Sequence, residues 1–227
     1  MGLRLDLKPR TDDSRELNSE ELIAYELGWR AQATDKLSFD AALFFNRYDH
    51  LLVSQPGLPK VDSATQALVL PLNTTNGEDA DTYGVEIAAA WQITDWWRLF
   101  GQYTYLNMNL HADQKLPPGS RAGAELVEKQ SPQNQFYIRS SLNLPGHVEL
   151  DLISRYGCSL ASFTPGIKSY LTMDVRLAWK PRENLEFAVV GQNLLDNQHP
   201  ELGTSPLVRS PLVEVDRSAY GMVTLKS

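Results

Sequence analysis

Cys158 is the single cysteine in the 227 residues. That excludes an intrachain disulfide and any zinc site built from several thiolates, and Cys158 reads as an ordinary strand residue. The histidines His50, His111, His147 and His199 are separately placed, with no metal-ligand spacing among them. No apolar run approaches the roughly 18 residues of a membrane helix. The opening Met1-Gly2-Leu3-Arg4-Leu5-Asp6 has no apolar h-region and is not a signal peptide. Basic residues are in deficit, 21 Lys and Arg against 28 Asp and Glu, for a net charge of −7. With no basic stripe to neutralise phosphates, nucleic acid is excluded as a partner. No recognisable catalytic motif is present. Ser154 and Asp151 share one element, but no histidine is placed to pair with them. Asp196 and His199 lack a neighbouring third ligand or nucleophile, so they read as turn residues rather than a metal or acid–base pair.

What the chain does have is alternation. Tyr83, Val85, Ile87, Ala89 and Trp91 interleave with Gly84, Glu86, Ala88 and Ala90; Trp97, Leu99, Gly101, Tyr103 and Tyr105 with Arg98, Phe100, Gln102 and Thr104. Leu171, Met173, Val175, Leu177 and Trp179 oppose Thr172, Asp174, Arg176, Ala178 and Lys180. This period of two is the mark of β-strands with unlike faces. Nine long strands are predicted, at about 21–32, 36–53, 80–93, 96–110, 131–144, 147–160, 168–181, 184–197 and 212–226, with a short hairpin arm at 64–72. Short turns follow the odd strands and long connections (54–79, 111–130, 161–168 and 198–211) the even ones, which suits an up-and-down meander. In the last strand Ala219, Gly221, Val223 and Leu225 compete with Tyr220 and Met222 for the apolar face.

Alternation alone does not distinguish a soluble sandwich from a membrane barrel. The tryptophans do. Trp29, Trp91, Trp96, Trp97 and Trp179 lie near the short turns at Thr34-Asp35, Thr94-Asp95 and Pro181-Asn184. Trp favours the water–lipid interface, so a Trp rim at the turn end predicts a transmembrane β-barrel wall. Tyr25, Tyr48, Tyr105, Phe163 and Tyr170 are expected to form a second girdle at the loop end. A mean hydropathy of −0.32 does not oppose this, since only alternate strand residues meet lipid. Val85, Ile87, Leu99, Tyr103, Leu150, Leu171, Val175, Leu177, Phe187 and Val189 are expected to face lipid, and Glu86, Arg98, Asp151, Asp174, Arg176 and Glu186 the lumen.

Several segments in order carry a family resemblance: Tyr25-Glu26-Leu27-Gly28-Trp29-Arg30, Phe44-Phe45-Asn46-Arg47-Tyr48-Asp49, Thr82-Tyr83-Gly84-Val85-Glu86 and Ser131-Pro132-Gln133-Asn134-Gln135. They are followed by Gly191-Gln192-Asn193-Leu194-Leu195-Asp196, His199-Pro200-Glu201 and Arg217-Ser218-Ala219-Tyr220-Gly221. From about Glu21 to Leu225 the chain resembles the C-terminal barrel portion of TonB-dependent outer-membrane receptors. The resemblance implies an all-β, antiparallel, up-and-down transmembrane β-barrel segment, about nine or ten strands of a larger, plugged barrel of about 22. Residues 1–20 then form an extracellular-loop-like segment and 21–227 the barrel part, without the plug domain. The lack of a leader supports the expectation that the parent protein begins upstream. The chain ends on Leu225-Lys226-Ser227, where family members commonly finish on an aromatic residue.

The implied function is non-enzymatic: active uptake of a scarce nutrient across the outer membrane of a Gram-negative bacterium, a ferric siderophore foremost, with no cofactor. The implied partners are outer-membrane lipid, the plug and N-terminal barrel strands, the TonB energy-transducing complex and the small-molecule ligand. A passive porin-like channel is the alternative. A soluble carbohydrate-binding β-sandwich stands behind it.

Overall fold

The computed structural model describes residues 17–64, 66–69, 71–159, 167–196, 198–200 and 214–226. The elements are β1 (Glu21–Thr34), β2 (Leu37–Pro56), β3 (Lys60–Val61), β4 (Leu68–Val69), β5 (Leu72–Thr94), β6 (Trp97–Ala112), α1 (Pro118–Glu128) and β7 (Asn134–Leu144). They continue with β8 (Val148–Gly157), β9 (Tyr170–Arg182), β10 (Leu185–Gln192), β11 (Gln198–Pro200), β12 (Glu214–Asp216) and β13 (Ser218–Leu225). Nine strands form one sheet in the order β1-β2-β5-β6-β7-β8-β9-β10-β13. Each long strand pairs with the next in sequence, as the alternation of short and long connections predicts.

The tight reversals have local causes. Gly146 and His147 take positive φ (80° and 60°) in the turn after Pro145, and both glycine and histidine tolerate that region better than branched residues. The β1–β2 and β5–β6 hairpins repeat one device. Gln32 Nε2 donates to the Thr34 carbonyl (2.6 Å), and Gln92 Nε2 to the Thr94 carbonyl (2.7 Å), within matching Gln-x-Thr-Asp sequences. Between β9 and β10 the register slips, with Leu185 opposite Arg182 but Phe187 opposite Trp179. This bulge accommodates Pro181, a residue a regular central strand does not. Gly84 is required by close approach: a Cβ there would run into the Tyr105 carbonyl oxygen and lie 2.6 Å from the Phe44 ring. Gly191 is less confined, with only the flexible Leu194 side chain near its missing Cβ (3.1 Å).

The chain divides into two compact units. One comprises Met1–Tyr25, Phe45–Thr82 and Met108–Glu128. Within it Asn76 ties three segments, accepting from the Asn18 amide (2.7 Å) and donating to the Asn18 and His50 carbonyls (3.0 and 2.5 Å). Helix α1 ends on Glu128, whose carboxylate accepts from the Leu110 amide (2.5 Å). Buried Leu116 packs over Gly77, where a Cβ would lie 2.9 Å from Leu116 Cδ2. The other unit comprises Glu26–Phe44, Tyr83–Asn107 and Lys129–Ser227, and its strands β6 to β10 and β13 pair antiparallel in chain order, with the one slip between β9 and β10.

The structure departs from the sequence expectations in three places. The 111–130 connection contains α1, which Pro118 opens in the first-turn position that suits proline. The hairpin arm, β3 with β4, overlaps the expected 64–72 but begins earlier, at Lys60. The segment expected as one strand at 212–226 is split into β12 and β13, and β12 pairs with β11 in a separate ribbon. Of residues 1–20, only 17–20 are described; Phe163 also falls outside the described residues.

Candidate functional site

The register of the second unit assigns every side chain on β6–β10 and β13 to one of two faces. Arg98 lies opposite Ser141, Ser141 opposite Asp151, Asp151 opposite Arg176, and Arg176 opposite Val190. This row and its i±2 neighbours form a polar face. The other face carries Leu99, Ile138, Leu150, Leu177, Val189 and Val223. It also settles the last strand, because Val223 pairs with Phe187 while Tyr220 pairs with Val190. Ala219, Gly221, Val223 and Leu225 therefore share the apolar face.

Burial is inverted relative to a water-soluble sheet. Val189 is 62 % exposed and Val223 64 %, whereas Asp151 is 8 % exposed. Soluble proteins shield apolar faces and hydrate charges; here Val189 and Val223 lie open while Asp151 is shielded.

At the turn end of the polar face, six ionic groups form one network. Asp151 accepts from Ser141 Oγ (2.6 Å) and Arg139 Nη2 (3.0 Å), and pairs with Arg176 (3.4 Å). Arg176 also pairs with Glu149 (3.4 Å) and, more closely, with Glu186. Lys180 bridges Glu149 (2.5 Å) and Glu186 (3.6 Å). Three cations meet three carboxylates, so the cluster is electroneutral, which is how charge is tolerated away from water. On the same face Arg98 donates to Gln92 Oε1 (2.9 Å).

The loop end of the same face differs. Here lies a cavity of about 560 Å³, lined among others by Gln102, Gln135, Gln192, Thr172, Tyr170 and Asn193. Arg155 and Asp174 pair across it at 2.6 Å, and Asp174 also accepts from the Asn193 amide (3.0 Å). Asn193, buried and at φ 52°, donates through Nδ2 to the Val215 carbonyl (2.9 Å) and so fastens the β11–β12 ribbon. His199 is buried, stacked on Tyr170 with centroids 4.5 Å apart, and its Nδ1 is 3.3 Å from Asn193 Nδ2.

The apolar face bears aromatics at two levels. Tyr103, Phe136 and Tyr156 form a row near the loop end, with centroids 4.6 and 6.1 Å apart. Trp179 stacks with Phe187 at 6.1 Å near the turns, and Trp97 Nε1 donates to Ser140 Oγ (2.9 Å). Trp29, Trp91, Trp96 and Trp179 are exposed. Trp179 is eight residues from Leu171, the partner of Tyr156. That is about 27 Å of strand, or roughly 20 Å of height at a tilt of about 40°, against an apolar band of about 25 Å in membrane barrels.

Sequence reasoning therefore found Arg98, Asp151, Arg176 and Glu186 as companions on one face, with Asp174 further along it. Glu86 lies on β5, in step with Gln92 in the strand alternation. Arg139, Glu149 and Lys180 were not among the lumen-facing candidates, although Lys180 had been placed on the polar side of its strand and each has the parity of its neighbours. Tyr170, expected in the girdle, belongs to the polar face: it shares the parity of Thr172 and Asp174, and nearness to a strand end does not determine the face. Asp196 is 3.9 Å from His199, but that imidazole is stacked and shared with Asn193. Ser154 pairs with Ile138 and Met173 on the face opposite Asp151, so the two form no catalytic pair.

An inverted antiparallel meander of this kind is a segment of membrane β-barrel, and the chain belongs to the TonB dependent receptor-like β-barrel family, whose model matches residues 7–194. The fold is shared with the ferric-catecholate import receptor Fiu of Escherichia coli K12, at 17 % identity and a TM-score of 0.69 over 98 % of this chain and 30 % of that one. It is shared with the pyoverdine receptor FpvA of Pseudomonas aeruginosa PAO1 at 15 % identity, TM-score 0.69, over 95 % and 31 %. The siderophore receptor PiuA of Acinetobacter baumannii matches at 18 % identity, TM-score 0.69, over 90 % and 28 %. The chain thus spans about a third or less of each of these receptors. It is a protein of the Gram-negative outer membrane.

Proposed function

We propose that residues 21–227 form one wall of the barrel of a receptor that actively imports a scarce nutrient, a ferric siderophore first among the candidates. Residues 1–20 are then a loop-like segment. In this reading Glu86, Arg98, Asp151, Asp174, Arg176 and Glu186 face the lumen, and Trp29, Trp91, Trp96, Trp97 and Trp179 form the girdle at the turn side. The observation that carries it is the inversion of burial between the two faces of one sheet, with the charges neutralised among themselves. Import draws on parts outside this chain: a plug, further barrel strands and the TonB energy-transducing complex. No catalytic step is assigned to any residue.

The test is uptake of radiolabelled ferric siderophores by an iron-starved host in which the only receptor is the intact protein containing this chain. Accumulation that a protonophore abolishes is the expected result. Entry that persists with the protonophore and falls off with solute size would mean a passive channel, and the active reading would be wrong.

A further inference from the structure

Beside the ion network, at the turn end of the polar face, lies a second and smaller pocket of about 220 Å³. Three guanidiniums line it, those of Arg98, Arg139 and Arg176, against the carboxylates of Glu149 and Asp151, which leaves one excess positive charge. Arg139 and Arg176 are engaged by carboxylates. Among the described residues Arg98 meets none, and its side-chain bond is the one from Nε to Gln92. Asp151, two strands away in the same row, already accepts from Ser141 and Arg139 and pairs with Arg176. Arg182, Glu183 and Lys226 stand at the turns and do not line this pocket.

The arginine is also tethered. Gln92, which accepts from Arg98 Nε, is fixed at its other atom by donating to the Thr94 carbonyl (2.7 Å). Both Nη groups are left over. The β1–β2 hairpin is an internal control: Gln32 makes the same bond to the Thr34 carbonyl, yet six residues on stands Ser38 where β6 has Arg98. The hairpin device therefore forms without an arginine. Arg98 pairs with Ser141, and Arg139 lies two residues along that strand, a diagonal that long side chains span. A carboxylate entering here would meet both guanidiniums, whose planar N–H edges fit its two oxygens.

We propose that Arg98 is the anchoring arm for a carboxylate side chain of the plug, the segment that fills the lumen in the receptor reading on which this inference rests. Charge complementarity selects the occupant. A carboxylate brings the pocket to neutrality, whereas a plug cation would be repelled by Arg98 and find Glu149 and Asp151 already engaged.

The test uses the intact receptor containing this chain. Arg98→Lys puts a primary amine at the site, which a water-soluble carbodiimide couples to a touching carboxylate as an amide. Peptide mass mapping should find the new amine joined to an Asp or Glu of the plug. A second measurement needs no cross-link. In planar bilayers at a fixed urea concentration, Arg98→Gln should raise the fraction of open channels about tenfold, the loss of one charge-assisted hydrogen bond. Gln92→Leu should raise it less, since the charge stays and only its tether goes. Unchanged heat-modifiable migration shows that the barrel itself is intact in each variant. Coupling to Glu149 or Asp151 alone, no coupling, or an open fraction unaltered by Arg98→Gln overturns the anchor. A tryptophan fluorescence response to inorganic phosphate that Arg98→Gln abolishes, without plug coupling, assigns the pocket to a small anion and overturns it too. Protonophore-sensitive uptake by the unaltered receptor preserves the receptor reading when the anchor fails; its absence refutes that reading instead.

Discussion

At the turn end of the polar face Arg139, Glu149, Asp151, Arg176, Lys180 and Glu186 bind one another, while at the loop end carboxamides and hydroxyls border a cavity of about 560 Å³. The two regions share strands β7 to β10 and differ in what their groups are committed to. A buried carboxylate with three partners is fixed in place, since releasing any partner leaves uncompensated charge. A neutral amide at an open surface exchanges water for another partner at small net cost. One end is a structural fastening across four strands; the other remains available for exchange.

The comparison is broken most strongly at Arg176. Arg176→Leu leaves Asp151, Glu149 and Glu186 short of a shared cation. About 3 kcal/mol of stability should be lost, the cost of removing the cation shared by three carboxylates in a part-buried network. Urea unfolding of the intact receptor in detergent measures it, and an unchanged midpoint would show that the network holds nothing together. A smaller effect belongs to the opposite face. Val189→Arg places a charge against lipid and should cost about 2–4 kcal/mol if the site is near the midplane. In lipid vesicles this appears as a lower folding yield, whereas a soluble sheet would tolerate the exposed arginine. The smallest effect sharpens the contrast at the loop end. Gln135→Leu should change stability by no more than about 0.5 kcal/mol, as for a surface site outside any network. A loss comparable to that at Arg176 would mean that the two ends are not chemically distinct.

Much of this was legible in the residues. Strict period-two runs on β6 and β9 separated the two faces in advance, and Trp97 and Trp179 fell beside the short turns. Tyr170 was misplaced because distance from a turn was used where parity decides. Helix α1 went unseen because its run from Pro118 is short and interrupted by Gly119 and Gly123. The ion network could not be read from Arg139, Glu149 or Lys180 singly. Cross-strand registry brings together residues up to 31 positions apart, and the β9–β10 bulge that shifts this registry leaves only Pro181 as its trace. The loop-end cavity was least legible, since it depends on the fold-back of β11 and β12 through Asn193 and His199.

The slip of register between Leu185 and Phe187 works as a phasing device. Side chains alternate faces along a strand, so one residue more or less between Phe187 and its partner Trp179 would turn Glu186 from the ion network to the opposite face.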